Sequence, residues 1–278
     1  MARLAWFIAL GCITAFGQYS ASSTSGSGGF RGEVHFGAQS RSANPVTGAP
    51  YSGEIVTETV QTLADGTHIT HTMTPTKVYR DSFGRTREER SPFQGPADQP
   101  PNATERPILI EITDPVGQVK YTLDVRGKVA HRQMLLAPVA VQGTTGGGRA
   151  QAFVSQPKQA ELATPATEPK APQTVHEKLE NQIIEGVLAE GTRTTTTWPE
   201  GSMGNDRPIV VVRENWRSPE LKVPLLNKSM DPRSGERTEK LTNISRSEPD
   251  QSLFQPPPDY TIVDEKGSFT IKFGPDQQ

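Results

Sequence analysis

ILIEITDPVGQVKYTLDVRGKVAHRQM, residues Ile108–Met134, is the stretch that decides the fold. Two turns of one chemistry, Asp114-Pro115-Val116-Gly117 and Asp124-Val125-Arg126-Gly127, cut it into the runs Ile108–Thr113, Val119–Leu123 and Val129–Met134. These runs are rich in β-branched residues and partly alternate apolar with polar positions, as half-buried strands do. In each turn the aspartate bonds the backbone ahead of it. The glycine is expected to take the left-handed conformation that closes a type I turn with a bulge. The same chemistry recurs at Asp81-Ser82-Phe83-Gly84 and, one residue longer, at Asp231-Pro232-Arg233-Ser234-Gly235. Four such turns predict consecutive antiparallel hairpins, a meander and not a parallel α/β sheet.

Working outward, Ser52–Leu63 and His68–Thr74 read as strands before this core, and Gln182–Val187, Ala189–Trp198, Pro208–Trp216, Leu221–Asn227 and Arg237–Arg246 after it. Leu221, Val223 and Leu225 alternate with Lys222, Pro224 and Leu226, and Pro224 marks an edge or a bulge. Thr174-Val175-His176-Glu177 fits a capping box and predicts a short helix to about Glu180, with Leu179 turned inward. Pro249–Phe254 reads as one helical turn, after which Pro256-Pro257-Pro258 leads an extended tail through Tyr260 and Ile262.

Hydrophobic residues are only 33% of the 278, while Gly and Pro number 25 and 24, so part of the length is expected to be disordered. The expected division is a leader at 1–17, a Ser/Gly-rich disordered tail at 18–45, one meander half at 46–140, a low-complexity linker at 141–172, and a second half of the same sheet at 173–278. Gly95–Arg106 is a polar, Pro-rich loop within the first half.

Arg3, the apolar run Leu4–Phe16 and the small residues Ala15 and Gly17 have the three parts of a secretory signal, with Gln18 as the first mature residue. The run is too short to span a bilayer, for which about 20 residues are needed. The chain is therefore expected to be exported to the periplasm or cell surface and not to be an integral membrane protein once cleaved. Ala9-Leu10-Gly11-Cys12 faintly resembles a lipoprotein anchor site, and cleavage after Gly17 would leave no cysteine. With 29 Lys/Arg against 31 Asp/Glu, nothing in the charge favours nucleic acid.

No catalytic constellation, cofactor motif or metal set emerges. Cys12 lies in the leader, and His35, His131 and His176 are isolated. His68 and His71, three apart on a strand, point to opposite faces. Asp81, Asp114, Asp124 and Asp231 are accounted for by their turns, and Arg85–Arg90 by a solvated charged strand face. Gly146-Gly147-Gly148-Arg149 lacks the lysine and hydroxyl of a phosphate loop. Thr192 and Thr194–Thr197 form a β-branched strand read as structural, although such a ladder would present hydroxyls to a ligand. The large aromatics Trp198, Trp216, Phe254 and Tyr260 are core plugs or the lining of a lipid-holding cavity.

Several motifs carry a resemblance: Gly191-Thr192-Arg193, Trp216-Arg217-Ser218-Pro219-Glu220-Leu221, Asp231 through Glu236, Leu241-Thr242-Asn243-Ile244, and Pro249-Asp250 through Leu253-Phe254 to Asp259-Tyr260. Together they resemble the second half of the LolA/RseB-like group, the outer-membrane lipoprotein carriers and sigma-factor regulators. Lys77–Asp81, Gly84-Arg85, Ile112–Pro115, Tyr121 and Leu123 look like paired strands of uncharacterised secreted proteins of soil bacteria.

The resemblance implies a mainly β fold: a curved antiparallel sheet, or half-barrel, whose concave side carries an apolar groove for acyl chains. This chain departs from it in having few short helices and long disordered segments. The function so implied is a non-catalytic binding module for a hydrophobic ligand or a partner protein, with lipid, a lipoprotein or another envelope protein as partner. Val211, Trp216, Leu221, Val223 and Phe254 would then converge on one concave face. The rival expectation is a packed interaction protein that acts through its disordered segments and has no ligand cavity.

Overall fold

A computed structural model describes residues 19–26, 29–38, 44–92, 108–136 and 171–273. The expected leader with Cys12, the loop Gly95–Arg106 and the Gly146–Arg149 run lie outside these residues, as does the expected linker apart from its last two positions.

The sequence is built into strands almost throughout. The first meander comprises β3 (Tyr51–Thr62), β4 (His68–Thr72), β5 (Thr76–Arg80), β6 (Thr86–Arg90), β7 (Leu109–Asp114), β8 (Val119–Asp124) and β9 (Val129–Met134). The second comprises β10 (Gln173–Lys178), β11 (Gln182–Ile184), β12 (Val187–Trp198), β13 (Ile209–Arg217), β14 (Pro224–Asp231) and β15 (Gly235–Ser245). With β16 (Thr261–Asp264) they make one 14-stranded sheet, in the order β10-β12-β13-β14-β15-β3-β5-β6-β7-β8-β9-β16, with β11 attached to β12 and β4 to β3.

Every pairing in this sheet is antiparallel except that of β16 with β9. The sheet is not closed into a barrel: β10 and β16 remain as separate edges. This is the mainly β, antiparallel architecture that the turns predict, and it is consistent with the curved sheet expected from the resemblance. The two meanders are joined where β15 runs against β3, pairing Glu236 with Val60 and Leu241 with Ile55.

Several expectations are corrected. Composition predicts a disordered tail at 18–45, but β1 (Tyr19–Gly26) and β2 (Gly29–Phe36) form a hairpin there, and β17 (Phe269–Phe273) adds to it as a three-stranded sheet. Alternation beneath the Ser/Gly composition explains it. Val34 and Phe36 lie opposite Ile271 and Phe269, and the buried residues Val34, Phe36, Ile271 and Phe273 pack with Leu109 of the large sheet. β17 therefore leaves the large sheet to which the division at 173–278 assigned it.

The helix expected at Thr174–Glu180 is strand β10 instead. Thr174 and His176 turn their side chains across to Thr196 and Thr194 of β12, at 3.3 and 3.0 Å. All six residues of β10 are exposed, and it is pairing along its whole length with β12 that holds the segment extended. The helical turn expected at Pro249–Phe254 forms as the 3-10 turn Gln251–Phe254, capped by the Asp250 side chain.

The Arg85–Arg90 run is not a solvated face. β6 lies inside the sheet between β5 and β7, and Glu88 stands opposite Glu111 of β7. Arg90 pairs with Glu88 at 3.0 Å and with Glu111, and Glu111 also holds Lys120. Burial alone would push both glutamates up. For Glu111, Lys120 and Arg90 outweigh burial and the carboxyl lies below its ordinary range, whereas for Glu88 burial wins and it lies above.

In all four Asp turns the carboxylate accepts backbone N–H groups ahead of it, for example from Phe83 and Arg85 at Asp81 and from Val116 and Gly117 at Asp114. Gly84 and Gly235 take the expected left-handed conformation. In the Asp114 and Asp124 turns, however, it is the following residue that does so, Gln118 and Lys128. Gly117 and Gly127 serve a different need: a β-carbon on either would stand 2.9 or 2.6 Å from the aspartate oxygen Oδ2.

Candidate functional site

Four consecutive strands each contribute a pair of polar residues two apart, and these share one face of the sheet. Register sets Thr192 beside Asn215, Asn215 beside Asn227, and Asn227 beside Glu239. The adjacent row runs Thr194, Arg213, Ser229, Arg237. Because side chains in a strand alternate between faces, these i and i+2 pairs must stand together. They line a cleft of about 390 Å³, to which Glu214 and Lys228 also contribute. All ten lining residues are polar, and that volume is near the lower end of ordinary ligand clefts, roughly 300–1,000 Å³.

Most of the charges here are already matched. Glu214 accepts from Arg193, outside the lining, at 2.7 and 2.8 Å, Arg237 donates to Glu239 at 2.6 Å, and Lys228 lies 3.8 Å from Glu236. At the adjoining β14–β15 turn, Arg233 above all, with a smaller contribution from Arg213, holds the Asp231 carboxyl down at about 2. The Asn215 and Asn227 amides bond one another, and Thr194 bonds His176 of β10. Arg213 is exposed and makes no hydrogen bond or ion pair among the described residues.

The apolar residues expected to line a groove are placed differently. Leu221, Trp216 and Val223 come together in one core cluster with Leu225, Val187, Ala189 and Leu241. Phe254 belongs to another, packed with Ile110, Ile112, Leu123 and Ala130. Val211 is buried on β13 opposite Thr196 and belongs to neither cluster. Leu221, Val211 and Phe254 are each 2% exposed or less.

In the sequence Thr192 and Thr194 read as structural, and Arg213, Asn215, Asn227 and Ser229 do not stand out at all. The usable signal is polar residues two apart in four successive strands, but it becomes a site only once the registers are known. Among the described residues, no three His, Cys, Asp or Glu side chains come together as a metal site, and no helix is long and apolar enough to cross a membrane.

No family model and no curated protein matches the sequence. Among solved structures, the chain is similar to an uncharacterized conserved protein from Thermus thermophilus (TM-score 0.36, 9% identity, 78% of this chain and 90% of that one). It is similar as well to the MucA/MucB complex of Pseudomonas aeruginosa (0.33, 12%, 78% of this chain and 58% of that one). A third likeness is to a domain from Vibrio parahaemolyticus described as an outer membrane lipoprotein-sorting protein (0.25, 11%, 74% and 89%). Nothing in these likenesses supports the resemblance to secreted proteins of soil bacteria. All three TM-scores lie below 0.5, so they assign neither activity nor partner, and the fold stands on its own strand order.

Proposed function

We propose that this chain is an exported, non-catalytic binding module that receives a polar ligand or partner in the β12–β15 cleft, and that it is not an acyl-chain carrier. One observation carries the reading: every residue that lines the cleft is of a polar type, while Leu221, Val211 and Phe254 are buried away from it. An acyl chain gains about 0.8 kcal/mol per buried methylene only against an apolar wall. Against Asn215, Asn227 and Arg213 it would strip water from groups that each lose about 1–3 kcal/mol when left unbonded. Lipid and lipoprotein, the partners implied by the resemblance, are therefore disfavoured relative to a partner that hydrogen-bonds. Export rests on the leader-like Met1–Gly17.

Native mass spectrometry of the mature protein from its envelope fraction, with lipid extraction, tests this. The expected result is no stoichiometric acyl ligand. A bound acyl chain at one per protein would overturn the reading.

A further inference from the structure

We propose that the β12–β15 cleft is a saccharide site, for a sugar chain bearing carboxylates, with Arg213 as the group that meets the carboxylate. This rests on the polar-cleft reading and goes further by naming the ligand class.

Each of β12, β13, β14 and β15 is paired on both sides, so their backbone N–H and C=O groups are largely spent within the sheet. A ligand on this face is read by side chains alone. An extended polypeptide that binds by strand addition is recognised through its own backbone at a strand edge, which this face does not offer. A polyol asks for something else: groups that donate and accept at once. Thr192, Thr194 and Ser229 offer hydroxyls, and Asn215 and Asn227 offer amides, all of which do both.

Charge then narrows the class. Of the two arginines that line the cleft, Arg237 is held by Glu239, and Lys228 faces Glu236. Arg213, exposed at the centre of the row between Thr194 and Ser229, is the cleft arginine with no such partner among the described residues. Its planar fork matches a carboxylate through two parallel hydrogen bonds. Hydroxyl-matching groups on either side of one guanidinium without a hydrogen bond or ion pair among the described residues describe an acidic sugar more closely than a neutral one.

The test uses the full mature protein, isothermal titration calorimetry and oligogalacturonate as probe. Its methyl ester, in which the carboxylates are neutral, and oligoglutamate serve as comparisons. Saturable binding of oligogalacturonate is expected, weakened about tenfold by esterification and about tenfold by Arg213→Gln, in line with loss of one charge-assisted hydrogen bond. Thr194→Val should weaken it severalfold. Arg132→Gln, on β9 and paired to Asp264, should leave it unchanged.

Equal binding of acid and ester, or wild-type affinity in Arg213→Gln, overturns the carboxylate assignment. Binding of oligoglutamate without oligogalacturonate overturns the saccharide and leaves the polar-cleft reading standing. Binding of neither, together with a stoichiometric acyl ligand in the native mass, overturns both.

Discussion

Gly191 lies so close beneath Trp216 that a β-carbon would collide with three carbons of its ring. Gly191→Ala should therefore displace the indole and cost about 1–3 kcal/mol, read as a lower urea midpoint at unchanged slope. Glu111 offers a second test at this scale. Its carboxyl is held below the ordinary range, so the stability it adds is full above that range and is lost as pH falls through its folded value. Glu88, raised by burial, acts in the opposite sense: its contribution falls as pH rises from the ordinary value through the raised one. Glu111→Gln leaves Lys120 buried without its carboxylate and should cost about 3 kcal/mol near neutral pH, a deficit that shrinks in acid. Urea midpoints of the wild type and of Glu111→Gln, measured across the acid range, would show it. Of these details the sequence displayed only the Asp turns. The collision at Gly191 depends on a cross-strand partner 25 residues away, and the left-handed residues Gln118 and Lys128 were masked by glycines next to them that answer to a carboxylate instead.

Elements were legible where their apolar residues alternate and misread where charge replaces them. Leu109–Asp114 and Val119–Asp124 declare themselves as strands, whereas Thr86-Arg87-Glu88-Glu89-Arg90 occupies the interior of the sheet with scarcely an apolar atom at its tips. It is matched by partners on both faces. Glu88 and Arg90 join the Glu111–Lys120 set, while Arg87 pairs with Glu89 at 2.7 Å and donates to the Leu253 carbonyl at 3.0 Å. Thr174–Glu177 failed for the converse reason, since a capping signature holds only when the turns after it have something to bury. The Pro249–Phe254 turn was read correctly because the prolines after it leave it nowhere to continue. It seats Phe254 over Ile110 and Ile112, so Phe254→Ala should cost about 3–5 kcal/mol by calorimetric or denaturant unfolding. Ligand affinity of the folded protein should not change, because Phe254 is absent from the lining of the cleft.

At the scale of the whole molecule, the sequence announces neighbours but not distant pairings. Hairpins such as β7–β8 and β8–β9 follow from their turns, yet nothing local says that Leu241 will lie beside Ile55, or Ile271 beside Val34. For the same reason the polar cleft could not be read beforehand, since its rows exist only in register. The small sheet makes a clear prediction. β17 is the strand that extends the β1–β2 hairpin, and Ile271 is buried at its centre. Ile271→Asp should abolish slow amide exchange at Val34 and Phe36 while β7 and β8 keep theirs, by hydrogen–deuterium exchange. Loss of protection in both regions together would instead mean that the two sheets unfold as one.

That arrangement also fixes an order of events. His35 and Thr270, which meet side chain to side chain at 2.7 Å, are 235 residues apart in the chain. Closing so long a loop carries an entropic cost that contacts within the hairpin do nothing to offset, and long-range pairings of this kind form slowly. A ribosome or a translocon delivers the β1–β2 ribbon long before its partner strand β17. Until then Val34 and Phe36 lack the β17 residues they pack against, which makes an apolar ribbon wait bare for its cover and a natural place for a chaperone to hold the chain.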